Sequence, residues 1–237
     1  MLDKLPLSHI LFLDIETVPA HPSLADVPSD FKALWERKAL QIRKSEEDTP
    51  ESLYHRAGIY AEFGKVICIS CGMFTPEGNF RIKSFYGHDE KTVLSDFASL
   101  CDRSFSAPDR FLCAHNGKEF DFPFLSRRML INSIRLPKIL DTPGKKPWEV
   151  SHLDTHELWK FGDYKSFTTL NLLASVFGIP TPKDDIDGSK VWEVYWIEQN
   201  LPRIVTYCQK DTLTVAQIFL RFRGESILEP SRVEIVS

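Results

Sequence analysis

The stretch His9-Ile-Leu-Phe-Leu-Asp-Ile-Glu16 decides the fold class. Its apolar run is rich in β-branched and aromatic side chains, holds no turn former, and reads as a buried strand. Pro19 and Pro22 follow and stop the ladder. Asp14 and Glu16 stand two apart, so in a strand their carboxylates share one face. Like charges side by side are costly unless a cation lies between them, and a divalent metal supplies that charge. As an isolated pair, the two acids could equally flank a loop.

Outward from this strand, residues 23–60 form a polar excursion in which Ser29 opens a short helix over 30–44. Lys65–Phe74 and Asn79–Tyr86 are β-rich runs joined by the turn Thr75-Pro-Glu-Gly78, which predicts a hairpin. Val93, Leu94, Phe97 and Leu100 have helical spacing within 89–101. A strand over 110–114, an amphipathic helix over 118–130 and a last strand over 152–154 come next. Helices over about 155–161, 168–177, 189–199 and 201–222 close the pattern. This order predicts an α/β domain, a mixed sheet of about five strands flanked by helices. No repeat or linker divides residues 1–237, so a single domain is expected, with an insertion at about 23–60 and a short tail after 223.

Two further acidic signals lie downstream. In Cys113-Ala-His-Asn-Gly-Lys-Glu-Phe-Asp-Phe-Pro-Phe124 a strand runs through a small-residue turn into a helix with Asp121 in its first turns. An acid there complements the helix dipole, and Asn116 could be a plain cap, so each has a structural explanation. In Tyr207-Cys-Gln-Lys-Asp211 the tyrosine and aspartate are at i and i+4, on the face that carries Ile204, Val215 and Ile218. That is the core-facing side, where an unpaired carboxylate is expensive. A Tyr–Asp hydrogen bond closing the core would satisfy both.

Together, the four carboxylates and the tyrosine resemble the DnaQ-like, ribonuclease-H-type 3′–5′ exonucleases. Asp14-Ile-Glu16 matches the first motif, Asn116-x4-Asp121 the second and Tyr207-x3-Asp211 the third, the tyrosine (DEDDy) subclass. A histidine-type relative would need His at position 206, which is Thr. Phe12-Leu-Asp-Ile-Glu-Thr-Val-Pro19, Ala114-His-Asn-Gly-x-x-Phe-Asp121 and Asp187-Gly-Ser-Lys-Val191 are similar to stand-alone predicted exonucleases related to the proofreading domain of family B DNA polymerases. The resemblance spans about residues 9–222 and implies a ribonuclease-H-like fold. It also implies metal-dependent hydrolysis at the 3′ end of single-stranded nucleic acid, DNA favoured over RNA. Asp14, Glu16, Asp121 and Asp211 would hold two ions, and Tyr207 would orient the attacking water. An all-oxygen donor set favours Mg²⁺ or Mn²⁺. Thr17 would meet the terminal 3′-OH through its backbone N–H, and Asn116 and Phe120 the last nucleotides. Lys118, Arg127, Arg128, Lys160, Lys165 and Lys183 are candidate phosphate contacts, whereas His115 and His152 read as structural.

Composition narrows the alternatives. With 29 Lys+Arg against 33 Asp+Glu, the net charge of −4 rules out recruitment of nucleic acid by a global positive field. No apolar run approaches the ~20 residues of a bilayer span, so no membrane partner is expected. Five cysteines form no disulfide-like framework, which fits a reducing cytoplasm. Cys68-x-x-Cys71 lacks a second ligand pair for zinc. No polymerase domain fits in 237 residues, so a polymerase or repair partner would act in trans. Rival readings are a ribonuclease trimming short RNA and an inactive nucleic-acid-binding module on the same fold.

Overall fold

The computed structural model describes residues 2–163, 165, 167–180 and 186–236. Strand β1 (Ile10–Pro19) runs into an inserted segment that holds helix α1 (Ser29–Ile42). The hairpin β2 (Gly64–Phe74) and β3 (Phe80–Tyr86) follows, then α2 (Glu90–Ser104), β4 (Phe111–Ala114), α3 (Asp121–Ile131) and β5 (Leu153–Asp154). Helices α4 (Thr155–Lys160), α5 (Leu170–Val176), α6 (Val191–Trp196) and α7 (Leu201–Phe222) come next, and β6 (Val233–Val236) ends the order. The strands form one mixed sheet in the order β5-β4-β1-β2-β3-β6. Strands β1, β2 and β3 pair antiparallel, while β4 runs parallel to β1 and β5 parallel to β4.

Alternation along β1 explains why helices cover both faces. Leu11, Leu13 and Ile15 enter the core with residues of α2 and α3. Ile10 and Phe12 turn the other way, toward α7, where Phe12 meets Phe219 edge-on at 5.5 Å between ring centroids. Val18 packs with Ile204 and Cys208 of the same helix. Asp14 and Glu16 therefore lie on the α7-facing side of the strand, between apolar residues that pin strand and helix together.

Three features depart from the sequence reading. The sheet has six strands rather than about five, because β6 pairs parallel with β3 and joins Glu234 to Arg81 at 2.8 Å. Helix α3 begins at Asp121 rather than 118: the Asp154 carboxylate accepts the backbone N–H groups of Asn116 and Lys118 at 2.9 and 3.0 Å, and Asn116 sits in left-handed backbone (φ 61°). The polar insertion has a small core of its own, with Trp35 fully buried against Tyr54 and Phe63 and its Nε1 donating to the Pro50 carbonyl at 2.8 Å.

The insertion also touches β1 directly. A short 3₁₀ stretch, Tyr54–Ile59, lies so close that a Cβ on Gly58 would stand 2.9 Å from the Val18 carbonyl carbon. Only glycine permits that approach.

Candidate active site

Strand β1 supplies the first part of the site. Its pairing with β2 shifts register between Glu16 and Thr17, a bulge of the kind that re-aims side chains beside functional sites. Thr17 Oγ1 donates to the Gly58 carbonyl at 2.8 Å, so its hydroxyl anchors the insertion. Asp14 Oδ2 is sealed from solvent and has no hydrogen-bond partner among the described residues. Burial, then the neighbouring Asp211 and Asp121 charges, push the Asp14 carboxyl well above the usual range. Burial and the Asp14 charge do the same for Glu16.

Helix α3 brings in the next carboxylate. Asp121 opens the helix, is buried, and accepts a hydrogen bond from the backbone N–H of Ile15. Burial raises its carboxyl to about 7, with the Asp154 charge adding to the shift. Helix α7 contributes the remainder. Tyr207 and Asp211 are half-buried at the border of its apolar stripe, not within the core. The Tyr207 hydroxyl donates to the Asp211 carboxylate, and burial together with the Asp211, Glu16 and Asp14 charges drives the phenol far up. Tyr207 thus stays protonated at physiological pH.

A cleft of about 470 Å³ opens here, with Asp14, Glu16, Thr17, Phe120, Tyr207 and Asp211 among its lining residues. Its far wall comes from His55 and Arg56 of the insertion, from Ser189 of the Asp187–Val191 motif, and from Trp192 of α6. His55 and Trp192 meet with ring centroids 6.4 Å apart, and the Trp192 indole N–H is buried with no partner among the described residues. Nothing in the sequence marked His55 and Arg56, since a polar insertion carries no periodicity that predicts where it folds back.

The donor chemistry suits a hard divalent cation. Ligand atoms of Asp14, Glu16 and Cys208 lie within 4.8 Å of one another. Clustered carboxylates with raised pKa values are the signature of negative charge awaiting a counter-ion. Sequence reading assigned no cysteine to the site. Cys208 Sγ donates to the Asp14 carbonyl at 3.3 Å, and burial holds its thiol well above the ordinary value. A protonated thiol is a weak ligand, so the carboxylate oxygens dominate the donor set.

A model of a family described as "Predicted 3'-5' exonuclease related to the exonuclease domain of PolB" matches residues 59–228. The chain belongs to this predicted 3′–5′ exonuclease family. The matched segment includes Asp121, Tyr207 and Asp211 and begins after β1. The structure of the family B DNA polymerase from the hyperthermophilic archaeon Pyrobaculum calidifontis is similar in fold, with a TM-score of 0.51 and 20% identity over 92% of this chain. The chain spans about a quarter (25%) of that polymerase. No curated protein matches the sequence.

Several expected substrate contacts of this exonuclease-family chain lie elsewhere. Asn116 does not line the acidic cleft; it faces a neighbouring cavity, with Oδ1 buried and unpartnered. Arg128 is no phosphate contact: it is buried, donates from Nε to Glu90 at 2.8 Å and from Nη1 to the Ala61 carbonyl at 2.8 Å. Lys118 is paired with Glu157 at 2.6 Å. Lys183 lies outside the described residues. Cys68 and Cys71, three apart on β2, fall into separate cores on opposite faces of the sheet, which precludes their sharing a metal. His115 is satisfied at both ring nitrogens, by Thr155 and the Thr168 carbonyl, each at 2.9 Å. Among the described residues no helix is long and apolar enough to cross a membrane.

Proposed function

We propose that the chain is a metal-dependent 3′–5′ exonuclease acting on single-stranded nucleic acid, with DNA favoured over RNA. The observation that carries this reading is the convergence of Asp14, Glu16, Tyr207 and Asp211 on one open cleft, with Asp121 close enough to raise the Asp14 carboxyl. The family's kinship with a DNA polymerase domain favours DNA.

Asp14, Glu16, Asp121 and Asp211 would hold two Mg²⁺ or Mn²⁺ ions. Bound there, the metals would supply a hydroxide nucleophile at neutral pH and neutralise charge on the scissile phosphate. Tyr207, its O–H given to Asp211, would present the phenolic oxygen as an acceptor that positions the attacking water, and a protonated phenol is a poor base. The Thr17 backbone N–H, at the bulge, would meet the terminal 3′-OH, while its side chain holds Gly58. Phe120 offers a ring for stacking on the last base, a sequence-tolerant contact. Arg56 and the unpartnered Trp192 N–H on the far wall are candidate grips for the phosphate that follows.

The test is a panel of 3′-labelled DNA and RNA, single- and double-stranded, with Mg²⁺, Mn²⁺ or EDTA. Stepwise shortening of single-stranded DNA from the 3′ end, abolished by EDTA and by Asp14→Ala, is the expected result. Faster cleavage of RNA would move the substrate class to ribonucleotides. Absence of hydrolysis on every substrate would leave a binding module and overturn the enzymatic reading.

A further inference from the structure

The loop 116–120 walls two spaces. Phe120 lines the acidic cleft, while Asn116, Lys118 and Glu119 line a second cavity of about 660 Å³ beside α3, α4 and the 136–150 loop. That volume lies within the ~300–1,000 Å³ of small-molecule sites. Inside it, His152 is only 5% exposed and neither ring nitrogen has a hydrogen-bond partner among the described residues. His156 Nε2 and Asn116 Oδ1, also on its lining, are buried and likewise have no partner among the described residues. Buried polar atoms are nearly always paired, and four orphans around one cavity mark a place built to receive hydrogen bonds. Asp154 cannot satisfy them, since its carboxylate already accepts backbone N–H groups from Asn116, Lys118, His156 and Glu157.

The remaining lining has two characters. Phe122, Leu136 and Leu140 give apolar wall, and the Phe122 ring lies 4.6 Å from that of His152. Arg127 and Lys145 are exposed and Lys160 half-exposed, which places cations toward the mouth. Exposed Glu119 and Glu157 share the rim, Glu157 paired with Lys118, so Arg127, Lys145 and Lys160 leave it net positive. Apolar surface and neutral hydrogen-bonding groups inside such a rim suit a base and its phosphate.

We propose that this cavity is a second nucleotide-binding site, taking the base against Phe122, His152 and Asn116 and the 5′-phosphate at Arg127, Lys145 and Lys160. Burial, with help from Lys118 and Lys145, depresses the His152 pKa to about 4. At neutral pH its ring therefore offers one N–H donor and one nitrogen acceptor, as a base edge requires, and an exocyclic amine satisfies Asn116 Oδ1. The nucleotide could be a released mononucleotide or one unit of the bound strand, and the chemistry is shared.

The inference does not rest on hydrolysis, so binding is measured by calorimetry on the full chain in EDTA, with dAMP, inorganic phosphate and a short single-stranded oligonucleotide as probes. The expected result is that dAMP binds and phosphate alone does not. Lys145→Glu, an exposed change that leaves folding intact, weakens dAMP at least tenfold. His152→Leu weakens it comparably, while Trp192→Ala in the acidic cleft does not. Competition by the oligonucleotide assigns the site to the strand, and its absence to free mononucleotide. Failure of dAMP to bind, equal binding to the parent and both cavity variants, or loss of binding in Trp192→Ala would overturn the proposal. Nuclease activity without dAMP binding would separate this failure from that of the proposed function.

Discussion

Tyr207 donates a hydrogen bond to the Asp211 carboxylate, one turn further along α7, at the edge of the cleft that holds Asp14 and Glu16. A bond of that kind could merely close a core. Its half-buried position and its neighbours favour a positioning role. Tyr207→Phe is expected to slow single-turnover hydrolysis about 10–1000-fold, the range of positioning and acid–base effects. Stability should change by only ~1 kcal/mol, one lost hydrogen bond. Asp211→Asn should reduce metal affinity as well as rate. Matched losses of stability with an unchanged rate constant in Tyr207→Phe would make the pair structural.

Asp14 is buried beside the Asp211 and Asp121 charges. In EDTA, Asp14→Asn should melt at a higher temperature than the parent, because a buried, unpartnered charge is removed. In saturating Mg²⁺ the order should reverse, since the parent gains binding energy that the variant lacks. Thermal melts with and without metal check both signs.

Asp121 makes metal-free stability depend on pH in a defined direction. Its folded carboxyl is raised from 3.8 to about 7, so between those values the folded state holds the proton more tightly than the unfolded chain does. The stabilisation is present in full below about pH 4 and is lost as pH rises through 7. Other groups, such as His152 with its depressed pKa, carry the opposite sign. The measurable quantity is thus the difference between parent and Asp121→Asn. The variant should gain relative stability as pH rises from 4 to 7, and a flat difference would contradict the placement of Asp121.

Glu90 and Arg128 carry a structural burden away from the cleft. Glu90 accepts from the Val66 N–H at 2.7 Å and from Arg128, and both side chains are buried. Glu90→Ala strands the guanidinium and should cost about 3–5 kcal/mol in chemical denaturation. Turnover per folded molecule should be unaffected.

Gly58 couples the insertion to the acidic strand. Gly58→Ala should destabilise by ~1–3 kcal/mol, because the new Cβ meets β1 backbone at 2.9 Å. It should also raise KM for single-stranded substrate, since His55 and Arg56 ride on the same short stretch. Unchanged KM would detach the insertion from substrate binding.

Local spacing along the chain determined the pairs. The i, i+2 rule put Asp14 and Glu16 on one face of a strand, and i, i+4 put Tyr207 and Asp211 on one face of a helix, because those relations depend only on backbone geometry. Runs of β-branched and aromatic residues, with the Thr75–Gly78 turn, predicted five of the six strands. Only tertiary packing decided the rest. It brought Asp121 to the Ile15 N–H, folded the polar insertion over β1 to supply His55 and Arg56, and set Cys208 beside Asp14. It also turned Asn116 away from the acidic cleft, when the Asp154 carboxylate captured the loop's N–H groups, and drew Arg128 inward to Glu90. Each of these contacts joins segments tens of residues or more apart, and the free energy that selects them, burial and satisfaction of polar groups, depends on which surfaces meet and leaves no periodic mark in either segment.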